Sequence, residues 1–208
     1  MRITFTQQLG ELNNEMINMG EMIEKAIGRA IDALDNGDVD EAKDVMENDK
    51  FIDNQEKKIE DLCFNILLRQ QPVAGDLKLV SGALKMVTDM ERIGDHATDI
   101  SELTIMLTDR KSYVPEYIRD MAKESMDMLI GSIDAYVNKD KNKAENVIKQ
   151  DDVVDKLFII AKNQLIETIR EDAGRASVAA DLLMVAKYLE RVGDHATNIA
   201  EWALFSMN

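Results

Sequence analysis

Cysteine occurs once in this 208-residue chain, as Cys63, so no disulfide can form within it. Its neighbours Leu62 and Phe64 mark it as a small buried hydrophobe and not a nucleophile. Proline occurs twice, at Pro72 and Pro115, which leaves long stretches free to run as uninterrupted helix. Aromatic residues make up 5% of the chain, so any core must be filled by aliphatic side chains and the 13 methionines. No run approaches the roughly 18 apolar residues of a membrane span. The opening Met1-Arg2-Ile3-Thr4-Phe5 lacks the charged and apolar regions of a signal peptide. The compartment expected is the cytoplasm, without direct insertion into a membrane. Basic residues are also short, 25 Lys and Arg against 40 Asp and Glu, for a formal net charge of −15. That field repels phosphate backbones, which argues against nucleic acid as a partner. It equally discourages unassisted adsorption to anionic lipid. A metal cation or a basic patch on another protein fits it better.

What the chain does have is apolar content, 45% hydrophobic residues, and an internal repeat. Ala30-Ile31-Asp32-Ala33 aligns with Ser132-Ile133-Asp134-Ala135 at an offset of 102, and Asp49 and Asp53 align with Asp151 and Asp155. Further on the offset becomes 99, because one connection in the second half is three residues shorter. There Met90-Glu91-Arg92-Ile93-Gly94-Asp95-His96-Ala97-Thr98-Asp99-Ile100-Ser101-Glu102 meets Leu189-Glu190-Arg191-Val192-Gly193-Asp194-His195-Ala196-Thr197-Asn198-Ile199-Ala200-Glu201. Nine of these thirteen positions are identical, which decides for two copies of one unit.

Each copy reads as three helices. The first helix runs to about Leu34, with Asn36-Gly37-Asp38 supplying a turn and an N-cap. The second runs to about Arg69, where Gln70-Gln71-Pro72 breaks it, and the third continues to about Leu107. Pro115 opens the second copy, Asn138-Lys139-Asp140 repeats the first turn, and Ala173-Gly174 the second. Leu182, Val185, Leu189, Val192, Ala196, Ile199 and Ala203 follow a 3-4 spacing, matched by Ala83, Met86, Met90, Ile93, Ala97, Ile100 and Thr104. This is a bundle seam, in which methionine is core filling. The fold expected is all-α, two tandem three-helix bundles over residues 1–110 and 111–208, each closed on itself.

The repeated segment also carries the chemistry. Glu91 and Asp95 stand four apart, one turn above each other on a helix, as do Glu190 and Asp194. Thr98 and Glu102 extend the first face, Thr197 and Glu201 the second. Like charges at that spacing cost a few tenths of a kcal/mol, and interior Gly94 and Gly193 about 1 kcal/mol each. Penalties that recur in both halves imply a compensating interaction. On the second helices, Asp49 and Asp53, and Asp151 and Asp155, have the same geometry. Asp49 interrupts the stripe Ala42, Val45, Ile52, and Asp151 interrupts Ala144, Val147, Val154. A carboxylate within an apolar stripe needs a cation or an arginine.

Paired oxygen ligands suit a hard metal ion, but two other readings stand beside that one. By heptad position Glu91 and Asp95 lie opposite the seam, where a solvated face is the default. Arg92 and Arg191 could instead neutralise the aspartates. His96 and His195 flank the seam, where packing or hydrogen bonding is the expected role and metal ligation the alternative. Glu56 and Glu60 read as surface, since Phe158 replaces Glu56 in the second half. There is no Glu-x-x-His pair, phosphate-binding glycine loop, zinc-finger spacing or Ser or Cys paired with a base. An enzyme is therefore not expected.

The doubled ERIGDHATDISE and ERVGDHATNIAE segments, each ending a three-helix unit, resemble the PhoU family of phosphate-signalling proteins. Gln70-Gln71-Pro72-Val73-Ala74-Gly75-Asp76-Leu77-Lys78 resembles that family's junction between second and third helices. The resemblance covers essentially the whole chain. It implies dimers and multinuclear metal clusters, of divalent or trivalent iron, zinc, manganese or magnesium. Glu91 and Asp95 would hold one cluster with Asp49 and Asp53, and Glu190 and Asp194 the other with Asp151 and Asp155. Asp99, Glu102, Glu201, His96 and His195 are possible further ligands, and Asn198 in place of Asp99 makes the two sites unequal. The resemblance further implies a negative regulator coupling the ATPase subunit of a phosphate ABC transporter to a sensor histidine kinase. A helical carboxylate protein for metal storage or redox work is the alternative of another class. Accessory service to a different phosphate transporter is the third reading.

Overall fold

The computed structural model describes residues 2–107 and 114–208. Six long helices account for nearly all of them: α1 (Arg2–Asn36), α2 (Val39–Gln70), α3 (Gly75–Leu107), α4 (Glu116–Asn138), α5 (Lys141–Glu171) and α6 (Ala176–Met207). A single turn of 3-10 helix, Ala173–Arg175, precedes α6, and no strand occurs among the described residues. None of these helices is long and apolar enough to cross a membrane. The domain boundary expected at 110/111 lies outside the described residues.

The helix limits follow from local chemistry that the two halves share. Asp38 accepts from Asp40 N and Glu41 N at 3.1 and 3.0 Å, and its counterpart Asp140 accepts from Lys143 N at 3.0 Å. Each N-cap satisfies donors that the first turn of helix leaves unpaired. Immediately before each cap the chain turns left-handed, at Gly37 (φ 64°) and Lys139 (φ 55°). Pro72 falls in the loop before α3 and Pro115 at the position preceding α4, both outside helical interiors as its missing N–H requires.

In each half the three helices contact one another pairwise, so each closes as a bundle, and the halves then pack through α3 against α6, the most extensive pairing in the molecule. The seam residues read from the sequence are all buried, Met86 and Met90 completely so. Cys63 is buried in this core, where desolvation pushes its thiol up to about 12 and so leaves it unreactive. Specific contacts near the start of α3 help to join the halves. Tyr136 Oη at the end of α4 donates to the Leu79 carbonyl in α3 at 3.0 Å. Gly82 in α3 lets the chain approach Ser206 and the Trp202 carbonyl in α6, which an added Cβ would meet at 3.1 and 3.4 Å.

Candidate functional site

Gly94 and Gly193 explain why the sequence tolerates glycine inside long helices. A Cβ at Gly94 would stand 3.0 Å from Ile52 Cγ2, and one at Gly193 3.3 Å from Val154 Cγ1 and 3.4 Å from Asp151 Oδ1. Glycine thus lets α2 lie close against α3, and α5 against α6. That approach brings the carboxylates of neighbouring helices onto one face.

In the first half Asp49 is partly buried and makes no ion pair among the described residues. Desolvation pushes its pKa up to about 6, reinforced by the charges of Asp53, Asp95, Glu91 and Asp99. Burial likewise raises Glu91, with Asp95 adding to the effect and Arg92 opposing it. In the second half Asp151 is also pushed up to about 6, again by burial first and then by Asp155, Asp194 and Glu190. The eight paired carboxylates picked from the sequence therefore form two clusters, one per half. Glu91 does not lie on the fully solvated face that heptad position suggests, whereas the Asp95 side chain is 37% exposed. The Glu91 side chain is 20% exposed, because α2 covers it.

The arginine reading fares differently at its two positions. Arg92 meets Asp95 at 3.1 Å and Glu91 at 3.5 Å, but its side chain is 59% exposed and it does not pair with Asp49. Arg191 makes no ion pair among the described residues. Thr98 Oγ1 and Thr197 Oγ1, at matching positions on the acidic faces, are buried without a good hydrogen bond, although Thr197 lies near enough to Asp151 to oppose its upward shift. The Thr98 and Thr197 hydroxyls, the unpaired Asp49 and Asp151 and the neighbouring carboxylates form an all-oxygen donor set, the kind that hard cations take. Among the described residues no three Asp, Glu, His or Cys side chains converge on one point. The donor chemistry fits a cation, while the side chains stand apart from one another.

Several expected participants lie elsewhere. Glu102 and Glu201 are exposed on the outer turns. His96 is buried between the halves, stacked on Tyr188 at 5.4 Å, with Nδ1 2.9 Å from Asp99 Oδ2. Burial lowers its pKa, and Asp99 works against that. His195 lies 6.0 Å from His96, ring to ring, and meets Asp89 Oδ1 at 2.8 Å, which also accepts from Asn198 Nδ2 at 3.2 Å. Both histidines therefore hydrogen-bond and pack at the α3–α6 contact.

Glu56 is a correction. It is half-buried rather than surface, and its pKa is raised by burial, then by Glu91, Glu60 and Asp53. Its 4-3 spacing after Asp49 and Asp53 places it on their face, a signal that the substitution by Phe158 obscured. The same substitution makes the second cluster less acidic. There Lys187 stands over the Phe158 ring at 5.5 Å and pairs with Glu190, where the first half has Thr88 in place of lysine.

Two acidic faces, repeated at equivalent positions of a doubled three-helix unit, invite comparison with known proteins. The PhoU domain family matches twice, over residues 16–104 and 118–203. The chain belongs to the PhoU family. It is 37% identical over 206 residues to the phosphate-specific transport system accessory protein PhoU homolog of Clostridium acetobutylicum, covering 98% of this chain and 94% of that one. The crystal structure of PhoU from Pseudomonas aeruginosa superposes with a TM-score of 0.89 at 32% identity, covering 97% of this chain and 98% of the other. The phosphate transport system regulatory protein PhoU from Streptococcus pneumoniae shares the fold at a TM-score of 0.88 and 24% identity. The two PhoU repeats coincide with the two closed bundles, and the acidic faces fall inside both matched segments.

Proposed function

We propose that this protein is a metal-binding regulatory adaptor of phosphate uptake, acting in the cytoplasm as a negative regulator of the phosphate-starvation response. The observation that carries the metal reading is a partly buried aspartate, Asp49 and again Asp151, surrounded by carboxylates and paired with no Lys, Arg or His among the described residues. Relatives named as accessory proteins of a phosphate-specific transport system support the regulatory part.

In this reading Asp49, Asp53, Glu91 and Asp95 hold metal in the first half, and Asp151, Asp155, Glu190 and Asp194 in the second. Bound metal supplies positive charge that offsets the carboxylate repulsion, and so pins α2 to α3 and α5 to α6. The pinned faces keep a fixed surface for the transporter ATPase and the histidine kinase, and partner binding holds the kinase silent while phosphate is plentiful.

Elemental analysis of protein purified without a metal-affinity tag tests it, beside the Glu91→Ala/Asp95→Ala/Glu190→Ala/Asp194→Ala variant. Stoichiometric metal in the parent and none in the variant is the expected result. No metal in either, with no uptake on titration and unchanged helicity, would sink the metal reading. A metal-free variant that still represses the starvation response would sever metal from regulation.

A further inference from the structure

The two ends of the molecule are built from equivalent segments of the repeat, and among the described residues these matched segments carry opposite charge. The α2–α3 loop, the α4–α5 turn and the last turns of α6 meet at one end. Tyr136 touches Leu79 there, Lys78 lies over the Phe205 ring at 5.7 Å, and Lys141 Nζ donates to Asn208 Oδ1 at 2.5 Å. Residues 68–78, 138–143 and 202–206 contain five Lys or Arg against two Asp. Their counterparts at the opposite end, residues 170–177, 36–41 and 103–107, contain two Arg against five Asp or Glu. In a chain of net charge −15 this inversion makes one end locally basic.

The basic end is also apolar where it faces water. Leu68 and Val73 are each 75% exposed, Phe205 43% and Leu77 42%. Lys85 lies over the Trp202 ring at 5.9 Å, and Trp202 meets Phe205 edge-on at 5.6 Å. Arg69, Lys78 and Lys139 have no carboxylate partner among the described residues, whereas Lys143 is paired with Asp134. The result is an exposed tip of Leu, Val and Phe, with lysines and a tryptophan around it.

We infer that this end of the molecule docks on an anionic lipid surface, seating Leu68, Val73, Leu77 and Phe205 at the interface with the lysines toward the headgroups. Exposed aliphatic and aromatic side chains ringed by Lys and Trp are what a bilayer interface accepts. Protein hot spots instead sit in concave pockets, and two clefts among the described residues lie away from this end, one between α1 and α2 and one beside Pro115. The acidic clusters do not prevent the contact. Glu91 stands fourteen residues beyond Leu77 on α3, about 21 Å along the axis at ~1.5 Å per residue. That exceeds twice the Debye length of ~8 Å at physiological ionic strength, so a surface touching the tip is screened from the acidic clusters. This inference stands independently of metal and of the regulatory reading.

The test is co-sedimentation of the full chain with vesicles of equal parts phosphatidylglycerol and phosphatidylethanolamine, beside pure phosphatidylcholine vesicles. Trp202, the chain's sole tryptophan, reports depth through quenching by brominated lipid. Binding to the anionic vesicles alone, weakened by salt and accompanied by quenching, is expected. A lysine near an anionic surface is worth about fivefold in partitioning, so Lys78→Gln/Lys139→Asn should weaken it more than about tenfold. Leu68→Ser/Val73→Ser should weaken it comparably, and Arg170→Gln/Arg175→Gln at the opposite end should not. Circular dichroism checks that each variant stays helical. No binding to anionic vesicles at low salt overturns the inference, as does equal binding by the tip variants or equal loss in the opposite-end variant. Capture of a protein partner through the tip, without vesicle binding, overturns it in favour of a protein surface.

Discussion

A carboxylate buried beside other carboxylates is normally removed by selection or neutralised by a neighbour, and Asp49 and Asp151 are neither. Their raised pKa values have a definite sign in stability. Between about pH 4 and 6 the folded state holds protons that the unfolded chain releases, so metal-free protein loses stability as pH rises through that range. Above it the penalty is complete, on the order of 1 kcal/mol per site once solvent screening is allowed for. Asp49→Asn/Asp151→Asn should therefore stabilise the metal-free protein at pH 7.5 and flatten that pH dependence, as read by urea unfolding at pH 4.5, 6 and 7.5. Unchanged stability would mean that the two aspartates are solvated after all. The unpartnered hydroxyls make a related prediction. Thr98→Val keeps the shape and removes a buried oxygen without a hydrogen bond, so the metal-free melting temperature should rise, by about 1 kcal/mol of stability, and by more than in Thr197→Val, where the hydroxyl lies against Asp151.

At the scale of the helix, Gly94 and Gly193 trade propensity for closeness. Alanine at either position regains about 1 kcal/mol of helix propensity, but its methyl must displace Ile52 or Val154. The first contact is the tighter, 3.0 Å against 3.3 Å. Gly94→Ala should consequently change stability by less than about 1 kcal/mol in either direction while moving α2 away from α3. Metal retention should then fall in the first half and less so for Gly193→Ala. Calorimetry paired with metal titration separates the two effects, and a loss of stability without loss of metal would refute the role of close approach. The recurrence of Asp38 and Asp140 as N-caps shows the same economy, with one local solution used at both equivalent turns.

At the scale of the whole molecule the halves are closed bundles that nonetheless depend on each other. Tyr136 is fully buried and spans from α4 to the Leu79 carbonyl, where the first repeat has Leu34. Tyr136→Phe should cost about 1 kcal/mol by removing that bond, with little change in secondary structure. A melt by circular dichroism followed by a single cooperative transition is the expected behaviour, since α3 and α6 bury each other. Two separated transitions would show that the repeats melt independently.

The doubled unit, its six helices, their turns and their seams were legible in the sequence because each rests on local or periodic signals: apolar 3-4 spacing, Asp caps and two prolines in connections. The pairing of Asp49 with Glu91, and of Asp151 with Glu190, was legible only as a possibility. Spacing along one helix tells which side chains share its face, but which face meets the neighbour depends on how closely the helices approach. That approach is decided by Gly94 against Ile52 and Gly193 against Val154. The same limit hid Glu56, the separate roles of His96 and His195 between the halves, and the opposite charge of the two ends. A sum over the chain counts charges without locating them. Only the antiparallel packing of α3 on α6 gathers Lys78, Lys139 and Lys141 at one end and their acidic counterparts at the other, since charge acts over a distance set by screening and not by position in the sequence.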